Sequence, residues 1–135
     1  MSLCRAPLCL ALLVGVAAYA DAQPLKAKEM AVVVVNPQTG FALIGVGKDA
    51  EAAQAPAMQL CRQDAKPAER EQCRVAGRCE QTGWTAVARW REGDRYGFEH
   101  VCGLGSQEAA SAALARACAA PGRAHCRVMQ LAVLK

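Results

Sequence analysis

The cysteine content is the feature that most limits how this chain can fold. Its 135 residues contain eight cysteines, a frequency well above ordinary usage. Such enrichment in a short chain is typical of proteins that fold in an oxidising compartment, where disulfides stabilise domains with small hydrophobic cores. With aromatic residues at 4% and charged residues at 21%, the composition excludes a collagen, a disordered tail and a core built mainly from large aromatic side chains.

The first 22 residues predict a cleaved secretory signal peptide. A single positive residue, Arg5, precedes an apolar run over residues 8–18, and small residues near Ala22 provide cleavage sites. The apolar run is too short for a permanent membrane span. Cleavage after Ala22 leaves 113 residues with six cysteines. We therefore expect an exported protein of the periplasm, with secretion as a further possibility and without membrane insertion.

An internal repeat organises the rest of the chain. The second copy lies 57 residues after the first, and becomes four residues shorter in its last part. The matches that do not depend on alanine pair Gly40-Phe41 with Gly97-Phe98, Cys61 with Cys118, and Cys73-Arg74-Val75 with Cys126-Arg127-Val128. The sequence therefore predicts an N-terminal extension over 23–29 and a single domain over 30–135, made of repeats over 30–79 and 84–135.

Each repeat predicts a β-hairpin followed by a helix and a strand. Two apolar runs flank a turn in each copy, at 36–40 and at 92–95. Asp49 and Ser106 are suitable N-caps for the helices that follow. Pro56 falls inside the first helix and predicts either a bend or a helix that begins near that residue. The fold class expected is α+β, with an antiparallel-rich sheet, two helices and disulfide staples.

The repeat also suggests how the cysteines pair. In each copy a cysteine near the helix end is followed, after a polar loop, by a cysteine at the start of the last strand. Six cysteines allow many connectivities, so the pairing is a choice made from the repeat. The predicted disulfides are Cys61–Cys73 and Cys118–Cys126, with the unmatched Cys79 and Cys102 paired across the two halves.

The sequence contains no recognisable catalytic set. His100 lies on a predicted strand and His125 at a loop end, and neither belongs to a metal-binding motif. The serines Ser106 and Ser111 lie at a predicted helix cap and on a helix, outside any nucleophile motif. Asp94 and Glu99 could form a carboxylate pair, but turn and strand positions favour solvent. We therefore predict a protein that is not an enzyme and has no metal or cofactor.

The second predicted hairpin is the best candidate for a contact surface. It combines both tryptophans with a tyrosine and several arginines, residue types enriched in the energetic centres of protein interfaces. The proposed partner-binding residues are Arg89, Trp90, Arg91, Arg95 and Tyr96. An alternative is equally supported for the tryptophans, because they share strand parity with Ala86 and Ala88 and could supply the large core side chains of an alanine-rich fold.

The repeated motifs resemble a bacterial family of small exported proteins, domain of unknown function 4189. The resemblance rests on Pro37, Thr39 and Gly40-Phe41 in the first hairpin, on Gly97-Phe98 in the second, and on the two Cys-Arg-Val units. It covers about residues 30 to 132. Membership would imply a periplasmic location and no established catalytic residues.

These observations favour a binding protein without enzymatic activity. The function expected first is that of an immunity protein or inhibitor, which neutralises an envelope-targeting toxin or hydrolase by direct protein–protein binding. The alternatives are a structural or glycan-binding module that contacts peptidoglycan, and a small hydrolase with a nonstandard site. The formal net charge of +4 is too small to indicate nucleic-acid binding.

Overall fold

A computed structural model describes residues 28–135. The elements are β1 (Met30–Asn36), β2 (Phe41–Gly47), α1 (Ala50–Asp64), a 3₁₀ helix (Pro67–Gln72), β3 (Arg74–Cys79), β4 (Gly83–Glu92), β5 (Arg95–Leu104), α2 (Gln107–Cys118) and β6 (Ala124–Leu134). The predicted signal peptide over 1–22 lies outside the described residues, as does most of the predicted extension over 23–29.

The strands form two separate antiparallel sheets. Sheet 1 has the order β2-β1-β3 and sheet 2 the order β5-β4-β6, so a central strand is flanked by its hairpin partner and by the strand that follows the helix. The α+β class and the antiparallel pairing agree with the sequence prediction. The sequence predicts one sheet, whereas the structure has two. They are separate because the strand that follows each helix pairs with the hairpin that precedes that helix.

The two sheets pack face to face around the main hydrophobic core. Val33, Val35 and Ile44 of sheet 1 belong to the same cluster as Val87 and Leu134 of sheet 2. β1 is buried along nearly its whole length and β4 is buried in its middle part, since the other face of each sheet is covered by a helix. The layers therefore follow the order α1, sheet 1, sheet 2, α2.

Helix α1 covers the outer face of sheet 1 with small side chains. Ala53, Ala57 and Cys61 recur at i, i+4 and i+8 and are buried against Val32 and Val34. A stripe of small residues allows the helix to lie close to the sheet but buries little apolar area per residue. The first helical layer therefore depends on its disulfide as well as on packing.

Helix α2 covers the outer face of sheet 2 in the same way. Ala110 and Leu114 are fully buried against Ala86 and Ala88 of β4. Leu114 is the one bulky side chain in this buried group, which is otherwise alanine. This layer also buries little area, and partly buried residues at its margins, including Trp84, complete it.

Both helices begin at the caps that the sequence predicts. The Asp49 carboxylate accepts a hydrogen bond from the Ala52 backbone N–H at 2.8 Å, and the Ser106 hydroxyl accepts one from Ala109 at 3.0 Å. Helix α1 begins at Ala50, so the alternative start near Pro56 is wrong. Asp49 sets this start because its side chain satisfies one of the N–H groups that have no partner within the helix.

The cysteines pair as the sequence predicts. Cys61–Cys73 joins the end of α1 to the start of β3, with Cα atoms 6.0 Å apart, and Cys118–Cys126 joins α2 to β6 at 5.4 Å. Cys79–Cys102 connects β3 of sheet 1 to β5 of sheet 2 at 5.7 Å. Two disulfides therefore attach a helix to its own sheet, and the third holds the two sheets together.

Candidate functional site

The candidate contact surface lies at the tip of the β4–β5 hairpin, residues 91–96. Arg91 pairs with Tyr96 and Glu92 with Arg95 across a two-residue turn. Gly93 adopts a φ of +66°, which suits the first central position of a tight hairpin turn. The turn projects Arg95 into solvent and leaves Arg91 half-buried.

The Tyr96 ring is the aromatic centre of this tip. The Arg89 guanidinium lies 4.8 Å from the ring centroid and that of Arg91 lies 4.7 Å from it, both within the range of a cation–π contact. The ring is half-buried. The tip therefore presents an amphipathic ring held in one orientation by two cations.

The Arg89 side chain has a structural role in the fold. Its Nη1 donates a hydrogen bond of 2.6 Å to the Gly40 carbonyl oxygen in the turn between β1 and β2. Burial lowers the pKa of the Arg89 guanidinium below its usual value, and the positive charge of Arg127 lowers it further, while Tyr96 acts in the opposite direction. Arg89 thus joins the two sheets and has little surface left for a partner.

Trp90 also faces away from the contact surface. Its side chain is 8% exposed, and the Arg123 guanidinium covers the ring at 4.1 Å from the centroid. Arg123 is in turn held by Glu99 and by the Ala117 carbonyl oxygen. Trp90 is therefore a core residue, as the alternative based on strand parity predicts. Of the five proposed contact residues, Arg91, Arg95 and Tyr96 remain accessible.

The β1–β2 turn fixes the hairpin tip from the opposite sheet. The Tyr96 backbone N–H donates to the Pro37 carbonyl oxygen at 2.9 Å. Gly40 has a φ of +77°, and a Cβ atom there would lie 2.7 Å from Arg89 Nη1 and 2.9 Å from the Tyr96 ring. The turn is itself held by the buried Asn36 side chain, whose Oδ1 accepts from the Gln38 N–H at 2.9 Å. Together these contacts leave the tip rigid.

A cleft of about 650 Å³ opens beside the tip, between β5 and the edge strand β3. We refer to it as the tip cleft. Its wall includes Tyr96 and Phe98 from β5 and Pro37 from the opposing turn, while Arg74 and Arg95 lie at its margin. Apolar rings bordered by guanidinium groups suit an acidic partner with an apolar side chain to insert.

Arg74 was not among the residues proposed from the sequence. It pairs with Val35 of β1 and so points toward sheet 2, on the side where the tip cleft lies. It belongs to one of the two Cys-Arg-Val units of the sequence, but nothing local indicates which face of the strand it takes. The face is set by a bulge in β3, where Val75 and Gly77 pair with consecutive residues of β1.

Several of the residues considered for chemistry have structural roles. Cys79, His100 and Cys102 have ligand atoms within 4.8 Å of one another, but the two sulfurs are bonded to each other. A disulfide provides no thiolate for a metal, so the imidazole is the only free ligand of this group. Ser106 caps α2, and Glu99 forms an ion pair with Arg123.

Together the elements and the site define a class of protein, a disulfide-bonded α+β protein with two face-to-face antiparallel sheets and a rigid arginine–tyrosine surface. Comparison with known proteins finds no matching protein-family model, no similar curated protein and no similar solved structure. Within residues 28–135, neither helix is long and apolar enough to cross a membrane. Three disulfides indicate an oxidising environment, extracellular or periplasmic.

Proposed function

We propose that this protein is an exported binding protein without enzymatic activity, and that it neutralises an envelope-targeting toxin or hydrolase by direct binding. The observation that carries the proposal is the Tyr96 ring, held by two guanidinium groups at the mouth of the tip cleft. Tyrosine and arginine are enriched among the residues that contribute most to binding energy at protein interfaces. Arg91, Arg95 and Tyr96 make the central contacts, and Arg74 extends them.

The rigidity of the surface supports tight binding. The tip is fixed by the Tyr96–Pro37 hydrogen bond, by the Arg89–Gly40 hydrogen bond and, further along β5, by the Cys79–Cys102 disulfide. A surface already held in its bound geometry loses little conformational entropy on association. An inhibitor that acts by binding alone requires a preformed surface and no catalytic group.

The charge of the surface indicates an acidic partner. Arg74 and Arg95 contribute two positive charges to the described lining of the tip cleft, against the one carboxylate of Glu92, and Arg91 adds a positive charge beside the Tyr96 ring. Complementary charge raises the rate of association and selects the partner more than it adds affinity. The partner is therefore a protein with an acidic surface and an apolar side chain that fits the cleft.

The periplasm is the proposed compartment. The predicted signal peptide over 1–22 supports export, and the disulfides support an oxidising destination.

We further propose that the two halves of the chain are copies of one unit. Both contain a hairpin, a capped helix and a returning strand, and both place the first strand of the hairpin at the centre of a three-stranded sheet. Cys61–Cys73 and Cys118–Cys126 are equivalent positions in this scheme. The partner-binding tip belongs to the second copy, and the first copy's turn braces it.

The test is charge reversal at the tip. We expect the double variant Arg91→Glu/Arg95→Glu to lose its protein partner from periplasmic extracts and to lose inhibition of that partner, with a drop in affinity of about 100-fold. Unfolding by urea should give a midpoint close to that of the unmodified protein, since Arg95 is exposed and Arg91 half-buried. Affinity is measured by calorimetry with the purified partner.

The matched control is Lys48→Glu/Arg116→Glu, which makes the same change in net charge at exposed positions away from the tip. An equal loss of affinity in the control would refute a specific tip contact. Binding to purified peptidoglycan with no protein partner would support the envelope-module alternative instead. Turnover that is abolished by His100→Ala in a folded protein would overturn the proposal.

A further inference from the structure

A second groove lies on the opposite side of β3, between that strand and α1. We refer to it as the α1–β3 groove. It has a volume of about 840 Å³, and its principal lining side chains are Gln54, Met58, Arg62, Gln63, Arg70 and Arg78. The lining extends along α1 from Ala50 to Gln63, a length of about 20 Å at 1.5 Å per residue. The groove is therefore elongated, and it shares no residue with the tip cleft.

Three arginines bring positive charge to this groove. Arg62 lies in the last turn of α1, Arg70 in the 3₁₀ helix and Arg78 on β3, and all three are exposed. Within residues 28–135 the only ion pair joins Arg123 to Glu99, so none of the three is paired with a carboxylate. Glu51 is the single acidic residue in the lining. The groove thus carries net positive charge that the fold leaves uncompensated.

The local structure holds these arginines around one space. The Cys61–Cys73 disulfide fixes the end of α1 beside the start of β3, and Arg70 Nε donates to the Ala65 carbonyl oxygen at 3.4 Å. Arg78 pairs with Val32, whose side chain lies under α1, so Arg78 points to the helix side of the sheet. Three separate elements therefore direct guanidinium groups toward the same groove.

The lining between the charges suits a peptide. Met58 is half-buried and flexible, and it can adapt to different apolar side chains. The amides of Gln54 and Gln63 can both donate to and accept from a peptide backbone. Among the described residues no aromatic side chain lines the groove, so this lining offers no stacking platform for the bases of a single-stranded nucleic acid.

We propose that the α1–β3 groove binds an acidic peptide segment in extended conformation. About six extended residues span 20 Å. Carboxylates along the peptide pair with Arg62, Arg70 and Arg78, a geometry for which the planar guanidinium is well suited, while an apolar side chain contacts Met58. This site is additional to the tip surface, and it gives the protein a second, independent contact with an acidic chain.

The test uses a fluorescein-labelled hexapeptide of alternating Glu and Leu, with the Gln–Leu peptide as its neutral counterpart. By fluorescence anisotropy at low salt, we expect saturable binding of the Glu–Leu peptide that weakens as salt is raised. The double variant Arg62→Gln/Arg78→Gln should bind about tenfold more weakly. Glu51→Gln should bind more tightly, because it removes the one negative charge of the lining.

The control is Arg116→Gln/Arg127→Gln, which removes the same charge from exposed positions that line neither the groove nor the tip cleft and should leave peptide affinity unchanged. Arg62 and Arg78 lie outside the tip cleft, so the groove and the proposed tip function can fail separately. The proposal is overturned if the Gln–Leu peptide binds equally well, if the Arg62→Gln/Arg78→Gln variant keeps its affinity, or if a sulfated heparin hexasaccharide binds and the peptide does not. Thermal melting of each variant verifies that it is folded.

Discussion

At the scale of single residues, a few side chains and one glycine decide whether the two sheets fit together. Gly40 allows the β1–β2 turn to contact both Arg89 and Tyr96 of the other sheet. Asn36, fully buried beneath the same turn, donates to the Glu69 carbonyl oxygen at 3.0 Å and so connects the turn to the 3₁₀ helix. The rigidity of the candidate surface therefore begins with residues that do not belong to it.

Replacing Gly40 with alanine should destabilise the protein by about 3 kcal/mol, through backbone strain at φ +77° and overlap of the new Cβ with Arg89 and Tyr96. Gly93→Ala is the matched control, because Gly93 also has a positive φ but no atom within 4 Å of the added Cβ. We expect it to cost about 1 kcal/mol. Urea unfolding measures both, and equal losses would show that the close contact at Gly40 contributes nothing.

At the scale of elements, each helix combines a small apolar face with an N-cap and a disulfide. The buried stripes of α1 and α2 are mostly alanine, which contributes little transfer free energy per residue. Asp49 and Ser106 compensate at the N-terminal ends by accepting backbone hydrogen bonds. In β3, the bulge places Arg74 and Arg78 on opposite faces of the strand.

Asp49→Ala should lower the free energy of unfolding by about 1 kcal/mol, because the Ala52 N–H loses its acceptor. Asp49→Asn provides the control, since asparagine is an equally good N-cap and should cost only a few tenths of a kcal/mol. Both free energies are obtained from urea denaturation. A large loss with asparagine would mean that Asp49 acts through its charge rather than as a cap.

At the scale of the whole molecule, the fold is two helix-covered sheets joined at one interface. The Cys79–Cys102 disulfide crosses this interface, whereas the other two lie within a half. Val33, Val35 and Val87 fill the interface, and the Gln130 side chain accepts a hydrogen bond of 2.7 Å from the Ile44 N–H across it. Both proposed binding sites border β3, one on each side of sheet 1.

Removing the inter-sheet disulfide with Cys79→Ala/Cys102→Ala should cost about 3 kcal/mol, more than removal of Cys118–Cys126. The loop closed between residues 79 and 102 spans 23 positions, against eight for the other pair, so its loss frees more entropy in the unfolded chain. Calorimetric melting compares the two double variants. Equal or reversed losses would show that loop length does not set the relative contributions of these two disulfides.

The local features of this protein are predictable from short stretches of its sequence. The hairpins, the caps Asp49 and Ser106 and the positions of both helices follow from residues that are close in sequence. The sequence matches between the two halves suggest the pairs Cys61–Cys73 and Cys118–Cys126, and Cys79–Cys102 is the pair that remains. Such signals are readable because turns and caps depend on the side chain at one position and on the backbone a few residues away. For Trp90 the sequence allows a contact position or a core position, and strand parity with Ala86 and Ala88 supports the core position that the structure shows.

The tertiary structure decided how these elements face one another. Simple alternation along β3 would place Arg74, Ala76 and Arg78 on one face, but the bulge sends Arg74 toward the tip cleft and Arg78 toward the α1–β3 groove. Whether six strands form one sheet or two depends on contacts between distant residues, which no local pattern encodes. Both proposed sites lie between elements that are far apart in sequence, so only the packed molecule brings their residues together.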